Sequence, residues 1–412
     1  MVRSIALSLI HYLLGRNNRI GFCWYHSKAK MSRMVQARRL EGVEKNIWVE
    51  FVKLAATYKT VNLGQGFPNF PPPDFVREAL VEAVGGENTL LHQYTREFGH
   101  PRLVAILARF FGKLLERDLD PLKNVMVTVG AYEALFCCFQ ALVDDGDEVI
   151  IIEPYFDCYE PMVKMAGGTS VFIPLQLVFS RKEMELIAEL CVRHDVLCFS
   201  DEVYEWLVYD GNKHIRMASL PGMWERTVTI GSAGKTFSAT GWKVGWTIGP
   251  DHLLKHLRTI HQNSVYHCAT AAQEAVACGL EQEFERFGKP ESYFAQLPQR
   301  LQRKRDFLVQ SLLAVGMKPI IPEGSYFVVA DLSEFKDELP DEPDSEEPYD
   351  YRFTKWMIKN KGLTAIPVSA FFSPPQKKNF DHLIRFCFAK EDSTLEAADS
   401  ILQQWSRKTQ GQ

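Results

Sequence analysis

Three apolar runs of strand length, DEVIIIEP, VLCFSDEVY and TVTIGSAGK, each end in polar residues, in a chain that alternates strand and helical patterns from Leu40 onward. That alternation constrains the fold more than any other feature. Apolar strands joined through helices build a mostly parallel sheet covered on both faces, because a parallel connection has to cross over. NVMVTVG is a further strand pattern, followed by the helical AYEALFCCFQALV; FVREALVEAV and LVAILARFFGKLL carry helical spacing upstream. The expected class is α/β. In such sheets ligands lie beyond the carboxyl ends of the strands, so the polar strand ends mark the rim of a site. A long helical stretch over 281–315 leads to a second set of strands, SYFVVADL, LTAIPV and LIRFCFA, which read as a smaller α+β domain. The acidic DLSEFKDELPDEPDSEEPYD within it is expected to be an exposed loop. The expected division is a leader over 1–40, an arm over 41–75 joining the small domain, a large domain over 76–280 and a small domain over 281–412.

Composition removes several classes of function. A net charge of −4 gives no electrostatic footprint for nucleic acid. The run IALSLI is too short to span a bilayer, so no membrane partner is expected. The nine cysteines form no Cys-x-x-Cys pair, which leaves a zinc site without support and suits buried thiols in a reducing compartment. The first forty residues stand apart. They hold no acid before Glu41, and they carry Arg3, Arg16, Arg19, Lys28, Lys30, Arg33, Arg38 and Arg39. A basic, acid-free leader reads as a mitochondrial transit segment, with Met31 and Met34 as alternative starts for a cytosolic form.

The stretch GSAGKTFSATGWKVGW contains Gly-Lys-Thr, the ending of a nucleotide-binding P-loop. That reading fails on spacing: the glycine required five residues before Gly234 is Thr229. Lys235 therefore needs another role, and Asp201 and Tyr204 in SDEVY suggest one. An acid at a strand end can simply cap the next helix. With Tyr204 it also matches what pyridoxal phosphate requires: a buried carboxylate keeps the pyridine nitrogen protonated, and a tyrosine hydroxyl bonds the ring oxygen. Lys235 would then condense with the cofactor aldehyde. Desolvation and the neighbouring charge of Lys243 would lower its pKa enough for that. Lys243 and Ser232 would hold the phosphate. Gly130-Ala131-Tyr132 opens a helix directly after a strand, where backbone N–H groups face an anion. Phe156, after EPY, is placed either to stack on the pyridine ring or to serve as a plain core aromatic.

VNLGQGFPNFPPPDF, QYTREFGHPRL, EPYFDCYEP, SDEVYEWLVYDG and SAGKTFSATGWKVGW together resemble the fold-type I pyridoxal-phosphate aminotransferases from about Leu40 to the C-terminus. Within them the kynurenine aminotransferases, also known as glutamine transaminase K or cysteine-S-conjugate β-lyase, are the most similar group, and the third, mitochondrial-capable isozyme is the expectation. The resemblance implies a homodimer in which Tyr94 reaches the phosphate of the partner subunit. It implies that Gly66 borders the substrate carboxylate and that Arg385 clamps it, a task that suits a planar guanidinium. Trp48, Tyr266 and His267 match positions lining the substrate pocket, although a structural role fits His267 nearly as well. The implied substrates are an amino acid and a 2-oxo acid. Kynurenine would give kynurenic acid, and cysteine conjugates would undergo β-elimination.

One part of the resemblance is missing. An Asn-x-x-Asn-Pro-x-Gly motif is expected between EPYFDCYEP and SDEVY, yet no Asn occurs between Asn124 and Asn212. GGTSVFIPLQ runs straight into LVFSRKEMELIAEL, as though a helix–strand unit were absent. The implied sheet is one strand short. The chain is then either a weakened enzyme or an inactive splice form able to pair with the full-length one.

Overall fold

The computed structural model describes residues 37–43, 47–174, 179–339 and 345–410. The basic leader up to residue 36, with Met31 and Met34, and the join at 175–178 lie outside the described residues. Residues 1–41 and 42–412 are separate units. The first contributes a 3-10 turn at Arg38–Leu40, and the second carries everything that follows.

The principal sheet has strand order β2 (Val125–Thr128), β7 (Gly245–Ile248), β6 (Thr227–Ser232), β5 (Cys198–Asp201). Alternate side chains point to opposite faces, as the two-residue period of a strand dictates. Met126, Val228 and Ile230 face a core built on the helices Gly130–Leu142 and Asp251–Ser264. Val125, Val127, Trp246 and Ile248 face another built on Pro101–Leu115 and Thr270–Arg286. Helices therefore cover both faces, and the α/β class holds. The ladder itself is mixed rather than mostly parallel. β5 and β6 run parallel, whereas β7 runs antiparallel to both β6 and β2. β7 escapes the sequence pattern because its GWTI follows directly on the glycine-rich stretch around Lys235.

β3 (Glu148–Glu153) and β4 (Thr169–Pro174) pair in parallel as a separate two-stranded sheet. Both sheets cover the Gly130 helix: Ile151 joins the same core as Met126 and Ile230, with Val149, Phe172 and Phe199 packed against it. Among the described residues β3 pairs only with β4, and β5 only with β6.

The C-terminal strands form an antiparallel sheet, β11 (Ile366–Pro367), β12 (Leu383–Cys387), β9 (Phe327–Asp331), β8 (Lys318–Ile320). Its apolar face, with Val328, Ala330, Ile384 and Phe386, packs on the Tyr293–Ala314 helix through Leu301 and Leu308. LTAIPV splits in two. β10 (Leu363–Thr364) pairs in parallel with β1 (Val61–Asn62), and β11 pairs with β12. The helical stretch expected over 281–315 is broken between Arg286 and Tyr293, where Gly288 takes φ +81 and Pro290 follows. Part of the acidic segment is also anchored rather than exposed. Ser333–Glu338 forms a 3-10 turn whose Phe335 is buried against Phe353 and Trp405.

Candidate active site

Lys235 lies on a single helical turn, Ala233–Thr236, directly after β6. Its amine donates to the carbonyl of Gly66 at 2.9 Å and lies 5.4 Å and 5.2 Å from the ring centroids of Tyr204 and Tyr326. Burial is the main cause that brings its pKa down to about 8, and the charges of Arg385 and Lys243 add to the fall. Such an amine is far closer to a nucleophile and a base than an ordinary lysine. Gly66 is held to glycine by packing: a Cβ there would meet Phe327 Cζ at 2.5 Å.

Asp201 ends β5, next to β6 and the Lys235 turn. Its Oδ2 accepts a hydrogen bond from the Tyr159 hydroxyl at 2.7 Å. Its Oδ1 is buried and has no partner among the described residues. Burial pushes the Asp201 carboxyl above the usual range. A buried carboxylate oxygen left open in this way suits a protonated ring nitrogen.

Arg385 lies mid-strand in β12, between Ile366 of β11 and Val329 of β9. Its guanidinium is caged by aromatics, at 3.9 Å from the Phe327 ring, 4.4 Å from Phe371 and 5.6 Å from Trp48. Nε and Nη2 are buried and unpartnered among the described residues. Those two N–H groups form one side of the guanidinium fork, the side that binds a carboxylate through two parallel bonds. Desolvation lowers the Arg385 pKa to about 10. Trp48 donates to Asp157 Oδ2 at 2.9 Å, and the Asp157 carboxyl is raised by burial although Trp48 and Arg385 oppose the rise.

The turn after β2 is the candidate anion cradle. Gly130 takes φ +70, and a Cβ there would lie 3.3 Å from Lys243 Nζ. Lys243, itself at φ +54, places its amine 6.0 Å from the Tyr132 ring. The Ser232 side chain makes no capping bond to the Lys235 turn, so its hydroxyl is not committed to the helix. Gly130, Ala131 and Tyr132 form the first turn of their helix, whose free N–H groups and positive end favour a phosphate. Phe156 is 39% exposed and meets Tyr132 and Tyr159 edge-on, which makes it a wall residue rather than a core one.

Contacts and charge interactions thus link Lys235 to Gly66, Tyr204, Asp201, Arg385 and Lys243, Arg385 to Trp48, and Lys243 through Tyr132 to Phe156, with Ser232 and Ala131 adjacent in the chain to these groups. Tyr94, Tyr266 and His267 form a separate aromatic cluster. The Tyr94 ring lies 6.1 Å from Tyr266 and 5.3 Å from His267, and Tyr94 is 83% exposed. No described contact links that cluster to Lys235. The His267 ring bonds the Cys268 carbonyl at 2.7 Å, so it also has a structural partner. Sequence reasoning missed Tyr159, Asp157, Phe327 and Phe371. Tyr159 stands three residues after Phe156 on the same motif, a spacing that puts both on one side of a helical turn. Phe327 and Phe371 carry no local signal, because only tertiary packing brings them over Arg385.

The profile of the family Aminotransferase class I and II matches residues 58–177 and 169–401. Kynurenine–oxoglutarate transaminase 1 of Homo sapiens is 58% identical over 91% of this chain and 99% of its own length. Kynurenine–oxoglutarate transaminase 3 of Homo sapiens is 49% identical over 93% of each chain. The expected preference for the third isozyme is therefore reversed in identity. Among solved structures, N-succinyldiaminopimelate aminotransferase from Mycobacterium tuberculosis superposes with a TM-score of 0.81 at 32% identity, covering 90% of this chain and 100% of that one.

Proposed function

The chain belongs to the class I and II aminotransferases, and from that premise we propose that it uses pyridoxal phosphate to move the amino group of L-kynurenine to a 2-oxo acid, forming kynurenic acid. Other amino acids, such as glutamine or aromatic ones, are further donors. The observation that carries the reading is the set of open polar atoms around a buried lysine: Asp201 Oδ1 on one side, Arg385 Nε and Nη2 on the other. Each of them is costly to bury without a ligand. The names of the similar transaminases supply kynurenine as the donor.

When bound, pyridoxal phosphate supplies an electron sink that acidifies the substrate Cα–H. The chain's own groups do the rest. Asp201 Oδ1 would hold the proton on the pyridine nitrogen, and the Tyr204 hydroxyl would bond the ring oxygen. The amides of Ala131 and Tyr132, the Ser232 hydroxyl and the Lys243 amine hold the phosphate. Arg385 binds the substrate carboxylate through Nε and Nη2, with Gly66 leaving room for it. Lys235 Nζ would take the Cα proton and hold it for return within the same half-reaction. Its lowered pKa suits both receiving and releasing that proton. Amino and oxo acids react in alternating halves, so the kinetics are ping-pong. With a leaving group on Cβ, the same proton removal leads to elimination, the β-lyase side activity. The Tyr94, Tyr266 and His267 cluster is solvent-facing in one chain, which supports a homodimer that covers it, and the leader over 1–40 is read as a mitochondrial address.

A second reading is an impaired form that pairs with a complete enzyme and lowers its activity. It is supported where the chain is shorter than its relatives. The two family matches meet at residues 169–177. The comparison with human transaminase 1 spans 419 positions, yet only 91% of the 412 residues here take part, so part of that relative faces no residue of this chain. The same place in the fold separates β4 from β5, each at the limit of its own sheet.

The deciding test is an absorption spectrum after incubation with pyridoxal phosphate, followed by borohydride reduction, peptide mapping and turnover with kynurenine and a cysteine conjugate. Reduced cofactor on Lys235 with turnover supports the enzyme. Soluble protein without it supports the impaired form, and co-purification of mixed dimers then completes that case.

A further inference from the structure

His261 is fully buried, and both of its ring nitrogens are engaged. Nε2 lies 2.9 Å from the carbonyl oxygen of Glu97 and must donate to it. Nδ1 lies 2.5 Å from Oε1 of Glu133, a residue 9% exposed in the first turn of the Gly130 helix. A proton has to lie between Nδ1 and Oε1. Whether imidazolium faces carboxylate or imidazole faces carboxylic acid, the pair carries no net charge. Glu133 Oε2 accepts from the Val129 amide at the entrance to the helix, and the Cys137 thiol donates to Oε1 at 3.8 Å. Burial keeps that thiol protonated. No other titratable side chain bonds the pair among the described residues.

We propose that His261 is a positioning residue for cofactor binding: it orients and neutralises Glu133, and so holds the Val129–Gly130 turn in the shape that receives the phosphate. A free carboxylate within one turn of a phosphate site would oppose the anion and cancel part of the helix-end field. Glu133 is tolerable there because His261 removes its charge. The same ring ties that turn to Glu97, three residues beyond Tyr94. The carbonyl of His261 also accepts from the amide of Tyr266, at 3.0 Å. One buried side chain thereby joins the phosphate cradle to the segment that bears Tyr94.

This inference rests on the cofactor reading above. Pyridoxal phosphate binding to the unaltered chain, followed by absorbance, tests that reading first. Dissociation constants and cofactor-free thermal midpoints are then compared for His261→Asn, Glu133→Gln and the double variant. His261→Asn is expected to weaken binding about tenfold, the effect of one misplaced charge at an anion site. Glu133→Gln keeps the Val129 and His261 hydrogen bonds with a neutral imidazole, gives up only the weak one from the Cys137 thiol, and is expected to bind like the unaltered chain. Adding Glu133→Gln to His261→Asn is expected to recover most of the loss, because the exposed charge is gone. The 31P resonance of the bound phosphate should shift in the single His261 variant and return in the double. If His261→Asn lowers the thermal midpoint with binding unchanged, or if the double variant binds no better than the single, the proposal is overturned. Should His261→Asn not fold, His261→Gln carries the same comparison.

Discussion

The amine of Lys235 donates to the carbonyl of Gly66 at 2.9 Å, a bond that spans 169 residues of sequence. It parks a buried base against the loop that follows β1, and it puts the reactive amine between Tyr204 and Tyr326.

Burial makes that amine costly to the cofactor-free fold. The ordinary lysine value is 10.5 and the folded value about 8. Below pH 8 the folded chain carries the full penalty of a buried ammonium. Between the two values the unfolded chain binds more protons, so stability rises with pH. Lys235→Met is expected to stabilise the cofactor-free protein by on the order of a few kcal/mol near neutral pH. The gain should shrink as pH climbs toward the ordinary lysine value. Urea unfolding at neutral and alkaline pH measures both. A loss of stability at neutral pH would contradict the burial argument.

In the cofactor-free chain the Nε and Nη2 of Arg385 are buried without partners among the described residues. Replacing it with Lys keeps the charge and removes the planar fork. Arg385→Lys should lower kcat/KM for amino acids by about a hundredfold, mostly through KM, since a two-bond carboxylate contact becomes a point charge. Steady-state kinetics with two donors of different side chain would test this. An effect confined to one donor would move Arg385 from the carboxylate to the side-chain subsite.

Asp201→Asn should leave the phosphate cradle intact and abolish the fixed charge opposite the ring nitrogen. Cofactor binding is expected to persist while exchange of the substrate Cα proton falls by about a thousandfold, the scale of losing a preorganised charge. The carboxyl is raised by burial in the folded state. Stability is therefore lost as pH rises through the ordinary Asp range, and the variant should be the more stable one at neutral pH. Deuterium exchange and thermal melts separate the two effects.

Gly66→Ala brings a Cβ to 2.5 Å from Phe327 Cζ, one of the rings over Arg385. The expected cost is about 1–3 kcal/mol of overpacking, with Phe327 pushed toward the guanidinium. Weaker carboxylate binding without loss of cofactor should accompany it. Unchanged KM would mean that the ring gives way elsewhere.

Ile150 on β3 is 57% exposed and Ile173 on β4 is 46% exposed. Both sit in the small two-stranded sheet, in which β3 and β4 each lack a second neighbour among the described residues. Open apolar edges of this kind recruit other chains. Ile150→Lys with Ile173→Lys should reduce light scattering on heating and leave absorbance at the Lys235 site unchanged. Equal aggregation in the two proteins would place the weak point elsewhere.

Much of this architecture was readable in one dimension, since strand and helix periods are local properties. The strand ends at Asp201 and Ser232, the turn at Gly130 and the lysine after β6 all follow from residue order. So does the family, because its motifs are contiguous. The direction of β7 was not readable: a four-residue strand has the same pattern whether it runs parallel or antiparallel, and its hydrogen-bond partners decide. The break at Gly288 depends on a glycine and a proline, Pro290, whose effect competes with the helical periodicity around them. Only the tertiary structure decided which polar atoms stay open. Asp201 Oδ1 and Arg385 Nε are ordinary side-chain atoms in sequence. Burial without a partner, beside Tyr159, Phe327 and Phe371 from other segments of the chain, is what makes them candidates for binding a ligand. The pairing of His261 with Glu133 across 128 residues has the same origin: a proton shared between two buried groups is a property of their distance, and distance is what folding supplies.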